Sequence, residues 1–202
     1  MPRPRYSEEH LQSMREHILD VASRILQMKG PQALSSRTIA DELGMAHMAL
    51  YTYFDNQSAI LQALAEREMV KVRAPQERFE KRAEHEDIVV VMRAALEFYP
   101  QFERENPNLF RLSWVVPQYL PEEIPHANAR SRESLAHLTR LVQRGIERGV
   151  FKPRLPQLAA AAAWGMVLFP LIMFHSGRIA SPGQRDILVA EMLEAAMDYL
   201  CV

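Results

Sequence analysis

Twenty residues, Ser35 to Phe54 (SSRTIADELGMAHMALYTYF), constrain this chain more than any other stretch. They read as two short helices with almost no chain between them. Ser35 is a good N-cap, because its hydroxyl can accept a backbone N–H from the first turn. Ile39, Ala40 and Leu43 give the first helix, Ser36 to Leu43, an apolar face. Gly44 is the natural stop, since glycine tolerates the backbone of a sharp turn. A second helix is predicted over about Ala46 to Phe54. Two such helices joined by a tight turn have the form of a helix-turn-helix. Apolar Ile39, Leu43, Met45, Leu50 and Phe54 would lock the pair at a fixed angle against a preceding helix. The outer face of the second helix would then be free to enter a DNA major groove. That face is expected to carry His47, Met48, Thr52 and Tyr53, with the Tyr51 hydroxyl on a phosphate.

Helical periodicity dominates the rest of the chain. Leu11, Met14, Ile18, Val21, Ala22 and Ile25 recur at three- and four-residue steps, and Gly30-Pro31 ends that helix. A fourth, connecting helix is predicted from about Gln57 to Arg73, closed by Pro75. Further helices are predicted over Glu86–Glu105, His126–Gly149, Leu158–His175 and Gln184–Leu200. Asn106-Pro107 marks a turn, and Pro117, Pro121 and Pro125 make an irregular stretch. The expected division is 1–55 for DNA, a connecting helix at about 57–74, and 75–202 for the larger helical domain.

Composition limits the classes available. Apolar residues make up 48% of the 202, enough for a sizeable core, and the net charge is -1. Residues 1–55 hold six Lys/Arg against seven Asp/Glu, so the first domain has no basic signature. The single cysteine, Cys201, cannot form an intramolecular disulfide or a cysteine metal cage. No secretory signal is read at the N-terminus, and a cytoplasmic protein is expected. Leu158 to Phe174 is nearly all apolar, but at 17 residues it sits at the short edge for crossing a bilayer. A helix buried in a bundle, with no membrane partner, is the expected reading. No metal, cofactor or catalytic motif is found.

Residues from about Ile18 to Leu64 resemble the DNA-binding domain of the TetR family. The resemblance rests on Ile39-Ala40, Gly44, Leu50-Tyr51, the pair Tyr53-Phe54, and the helix that starts just after with Ala59-Ile60-Leu61. It implies an all-α protein: three N-terminal helices forming a helix-turn-helix domain, then a larger C-terminal helical domain for ligand binding and dimerisation. It implies a transcriptional regulator, most simply a repressor released from a double-stranded operator by a small-molecule effector. Ser36, Arg37, Thr38, Ala46 and Gln57 join the four outward residues and Tyr51 as the expected DNA-binding set. Two positions depart from the family. Ala46 stands where a capping serine or threonine is usual, and Asp55-Asn56-Gln57 lacks the usual phosphate-binding lysine.

Across Ile187 to Leu200 the last helix is apolar almost all round, with Glu191, Glu194 and Asp198 forming one narrow polar stripe. Such a surface needs partners on more than one side. With the alanine run Ala159–Ala163 before it, it suggests a homodimer about a two-fold axis. Ala161, Leu168, Ile187, Leu193 and Met197 are the expected dimer contacts. For a moderately hydrophobic ligand, the resemblance directs attention to Phe98, Phe102, Phe110, Trp114, Trp164, Phe169 and Met173. At helical spacing those same side chains are first of all a core. A small all-α enzyme and an adaptor that binds only protein remain the rival classes.

Overall fold

The computed structural model describes residues 7–115 and 127–202, with side chains from 132 onward in the second stretch. The predicted irregular stretch at Pro117, Pro121 and Pro125 lies outside these residues.

Helix α1 (Glu8–Lys29) begins where the Ser7 hydroxyl accepts from the His10 N–H, and it buries Ile18, Leu19, Val21, Ala22, Ile25 and Leu26. Gly30 closes it at φ 81°, a backbone that glycine adopts at little cost. Helix α2 (Ser36–Leu43) falls where the sequence predicts it. Its cap is Ser35, whose Oγ accepts from the Thr38 N–H at 3.0 Å, and Gly44 ends it in the left-handed conformation. The next element is a 3-10 helix, His47–Thr52, shorter and tighter than the expected helix. Its N-cap, Ala46, has no side chain able to bond the free amides, and the turn stays tight.

Helix α3 (Gln57–Glu68) is capped by Asn56, whose Oδ1 accepts from the Ala59 N–H at 2.9 Å. The chain breaks at Met69 and continues as α4 (Val70–His85). Pro75 therefore does not close a helix; it lies inside one. Its ring crowds the carbonyl four residues back and it donates no hydrogen bond there, and the break falls in the preceding turn. Helix α5 (Ile88–Glu105) runs through Pro100, and α6 (Pro107–Phe110) leads into a single π-helical turn, Arg111–Val115. Helices α7 (Ala127–Glu147), α8 (Pro156–His175) and α9 (Pro182–Leu200) complete the bundle.

The core joins both halves of the chain through buried residues of α1, α3, α4, α5, α7, α8 and α9. Among the described residues there is no β-strand, only an isolated antiparallel bridge between Phe151 and Cys201. Lys152 N–H to Leu200 O, at 2.7 Å, fastens the start of the α7–α8 connection to the C-terminus. Helix α8 is long and apolar enough to cross a membrane by length and composition. It packs instead against α7 and α9. Ala160, Ala163, Trp164, Val167 and Leu171 face inward, at steps of three and four.

Candidate nucleic-acid interface and interior cluster

Buried pins fix the helix-turn-helix. Ile39 and Leu50 are fully buried and Phe54 nearly so. A chain of hydrogen bonds ties the three elements together. The Tyr51 hydroxyl donates to Ser36 Oγ at 3.2 Å, Ser36 Oγ donates to Gln57 Oε1 at 3.4 Å, and Gln57 Nε2 donates to Leu34 O at 3.2 Å. Three of the residues expected on DNA are thereby committed inside the module. Ser36 is buried, and Tyr51 and Gln57 are half-buried. Thr38 is half-buried too, its hydroxyl 2.7 Å from Ser35 Oγ.

The outward surface is narrower than predicted. Arg37, Ala46, His47, Met48 and Thr52 are exposed. Tyr53 is not on the outer face; it is half-buried, its ring 6.5 Å from that of His10 on α1. Tyr53 caps the 3-10 helix just after Leu50 and Tyr51, where the chain turns back toward α1. The His47 ring meets Tyr51 edge-on at 5.4 Å.

Behind this module, α1 is bonded to α3 and to α6. Glu68 is buried and accepts from Ser23 Oγ at 2.8 Å and from Lys71 Nζ at 2.5 Å. Burial pushes this carboxyl up, but the Lys71 and Ser23 hydrogen bonds outweigh it and hold it below the usual carboxylate range. At α6, Asn108 Nδ2 donates to Gln27 O at 3.1 Å near the end of α1.

Between α5, the π-helical turn and α8 the aromatic side chains converge. Tyr99 is fully buried and stands 6.1 Å from Trp114 and 5.6 Å from Trp164, ring to ring. Phe102 lies 5.7 Å and Phe110 5.1 Å from Trp114, and Phe98 packs on Tyr99 and Phe102. Five of the seven expected ligand residues thus form one cluster. Phe169 does not: it is 51% exposed, on the stripe of α8 that points away from the core. Met173 is half-buried near the end of α8. A cleft of about 720 Å³ opens between α4 and α5, with Phe79, Phe98 and Phe102 in its wall and Lys71, Arg78, Glu97 and Glu105 around it.

Polar groups edge the cluster. Gln76 Nε2 donates to the Tyr99 hydroxyl at 3.3 Å and to Ser134 Oγ at 3.0 Å. His137 is buried, with Nδ1 2.6 Å from Glu80 Oε1. Burial holds its imidazole below the usual histidine value, against the pull of Glu80. Ser113 Oγ, His137 Nε2 and Trp164 Nε1 have no hydrogen-bond partner among the described residues. Deeper still, Glu103 is 2% exposed and lies 2.7 Å from His175 Nε2 and 3.1 Å from Arg185 Nη1. This network fastens α5 to α8 and α9, and Phe110 stacks on His175 at 5.5 Å. A buried glutamate looks like a surface residue in sequence, so the network gave no sequence signal. His137 and His175 were legible only as polar points among aromatics.

The expected dimer contacts divide in the same way. Leu168, Leu193 and Met197 are buried within the single chain, because α8 and α9 turn those faces toward α7 and α5. They are not available to a partner. Ala161 is half-buried and Ile187 is 65% exposed. On α8 and α9 the exposed apolar positions include Leu158, Gly165 and Phe169 on α8 and Ile187 on α9.

The architecture is that of a helix-turn-helix module set on a helical bundle. Residues 18–64 match the family described as bacterial regulatory proteins, tetR family. The HTH-type transcriptional repressor Rv1474c of Mycobacterium tuberculosis is 32% identical over 100 residues, half of this chain and half of the relative's length. A solved TetR-family regulator from Agrobacterium tumefaciens shares the fold at TM-score 0.71 and 18% identity, covering 95% of this chain and 100% of its own. The regulator FadR of Bacillus subtilis, solved with stearoyl-CoA, shares it at TM-score 0.70 and 20% identity, covering 93% and 98%. The N-terminal segment thus matches the tetR-family DNA-binding model, and over nearly its whole length the chain shares the fold of solved TetR-family regulators.

Proposed function

We propose that this protein is a homodimeric, DNA-binding transcriptional repressor that a small, moderately hydrophobic effector releases from a pseudo-palindromic operator. The observation that carries the reading is the exposed face of residues 46–52, held rigid by buried Leu50 and by the Tyr51–Ser36–Gln57 chain. A module with its polar groups bonded inward and one short face left open suits groove insertion. Arg37 supplies the phosphate contact, helped by backbone amides. Residues 1–55 form the DNA domain, α3 and α4 connect, and the remainder holds effector and partner. The protein works in the cytoplasm, where its operator lies, and it is not an enzyme.

The bare stripe of α8 and α9 supports dimerisation. Two copies joined there present two recognition turns, and successive major grooves on one face are about 34–36 Å apart. The aromatic cluster supports an effector site, being mostly apolar with a few polar points. FadR, solved with stearoyl-CoA, lends the same fold a precedent for a ligand that carries a long acyl chain. Phe110 and Trp114 belong to that cluster, and Asn108 on the adjoining α6 bonds α1. A ligand that moves α6 would move the DNA domain, provided it binds the non-matching conformer better.

The test is a mobility-shift assay with DNA upstream of the protein's own gene, repeated with candidate effectors. A sequence-selective shift, abolished by an effector, is the expected result. An enzyme or a protein-only adaptor would give no selective shift, and that outcome would sink the proposal.

A further inference from the structure

Residues 46–53 (AHMALYTY) contain no arginine, lysine, asparagine or glutamine. Those are the side chains that pair bidentately with guanine or adenine edges in the major groove. Of this segment, Leu50 is buried and Ala49, Tyr51 and Tyr53 are half-buried. The Tyr51 hydroxyl is occupied by Ser36, and Tyr53 packs toward α1. The outward set is Ala46, His47, Met48 and Thr52. Met48 is the largest apolar group among them, 71% exposed. Its side chain has no hydrogen-bond donor and only a weak sulfur acceptor.

The major-groove edges of adenine, guanine and cytosine present donors and acceptors. Thymine alone adds a methyl group. An exposed thioether at the centre of a short reading face has one apolar feature to meet there. We propose that Met48 reads the 5-methyl group of a thymine in each half of the operator. The unbranched, polarisable side chain adapts to that methyl without demanding one rigid geometry. The neighbouring His47 ring meets Tyr51 edge-on. This inference rests on the DNA-binding reading above and adds to it the base chemistry that the turn recognises.

The experiment starts with the full-length protein selecting duplexes from a random-sequence pool. The recovered duplex is remade with each thymine in turn replaced by deoxyuridine, which deletes only the methyl. One thymine per half-site is expected to matter, its replacement weakening wild-type binding by about fourfold, the worth of one buried methyl group. M48A should bind the thymine and deoxyuridine duplexes equally, while M48L keeps the discrimination. Met28, comparably solvent-exposed but on α1, provides the control variant M28A, which should discriminate as the wild type does. Indifference of the wild type to every replacement overturns the proposal, and so does full discrimination by M48A. Failure to recover any selected sequence overturns the DNA-binding reading itself, a separate result.

Discussion

His137 shows how one buried side chain sets a pH dependence. Its Nδ1 lies against Glu80, while Nε2 is buried without a partner among the described residues. Protonation would place a second N–H in that unpaired position, so burial keeps the folded-state value below the ordinary 6.5. The unfolded chain then binds more protons than the folded one as pH falls through the ordinary value toward the folded-state one. Stability contributed by His137 is thus present above about pH 6.5 and lost as pH drops through the folded-state value. Glu80 adds a loss further down. Burial raises its carboxyl, but bonds from Arg140 and His137 outweigh this and hold it below 4.5. Urea midpoints recorded from pH 8 to 5 should fall with pH, and less steeply for His137→Asn; an equal slope in both would contradict the account. Gly145 offers a steric prediction. A Cβ there would lie 2.0 Å from the Phe151 ring, so Gly145→Ala should cost roughly 1–3 kcal/mol or more by overpacking, read as a lowered Tm.

At the scale of elements, capping separates two neighbours of similar length. Helix α2 has Ser35, and Ser35→Ala should destabilise by about 1 kcal/mol in chemical denaturation. The 3-10 helix has Ala46, in an extended conformation that suits a cap, with φ -64° and ψ 135°. Ala46→Ser should therefore stabilise the protein by up to about 1 kcal/mol. A midpoint unchanged by this substitution would show that the turn's amides are already satisfied. The prolines teach the opposite lesson. Pro75, Pro100 and Pro170 all lie inside helices, although proline in a helix interior costs about 3 kcal/mol relative to alanine. Pro100 and Pro170 are buried, and the apolar faces of α5 and α8 around them supply the packing that overrides this cost. The boundaries of α2 were legible because Ser35 and Gly44 act locally. The division between α3 and α4 was not, because a proline announces a disturbance without saying whether the chain bends or stops.

At the scale of the molecule, the bare stripe on α8 and α9 carries a test of assembly. The wild type is expected to sediment as a dimer, and Phe169→Glu combined with Ile187→Glu should give monomers at the same concentration. Helical circular dichroism should be retained, since both side chains are exposed in the subunit. Operator affinity should fall with dimerisation; a double variant that still sediments as a dimer would move the interface elsewhere. The DNA domain predicts a second global property. With six basic and seven acidic residues in 1–55, few phosphates are neutralised, so the salt slope of operator binding should be shallow. A steep slope would refute that. The Asn108–Gln27 bond predicts a third. Asn108→Ala should loosen the grip of α6 on α1, so that effector binding releases operator less completely at equal ligand occupancy.

The sequence by itself determined the all-α class of fold, the bounds of α2 and the buried pins Ile39, Leu50 and Phe54. Those follow from periodicity and from capping residues that act within a few positions. It also placed Met48 among the four residues expected on the outer face, with His47, Thr52 and Tyr53. Only the tertiary structure decided which outward candidates were free: Ser36, Tyr51 and Gln57 bond one another across three elements, and Tyr53 turns toward α1. It likewise placed Phe169 outside the aromatic cluster and buried Glu103 beside His175 and Arg185. Those outcomes depend on how helices rotate against each other, and that rotation is set by contacts between residues far apart in the chain.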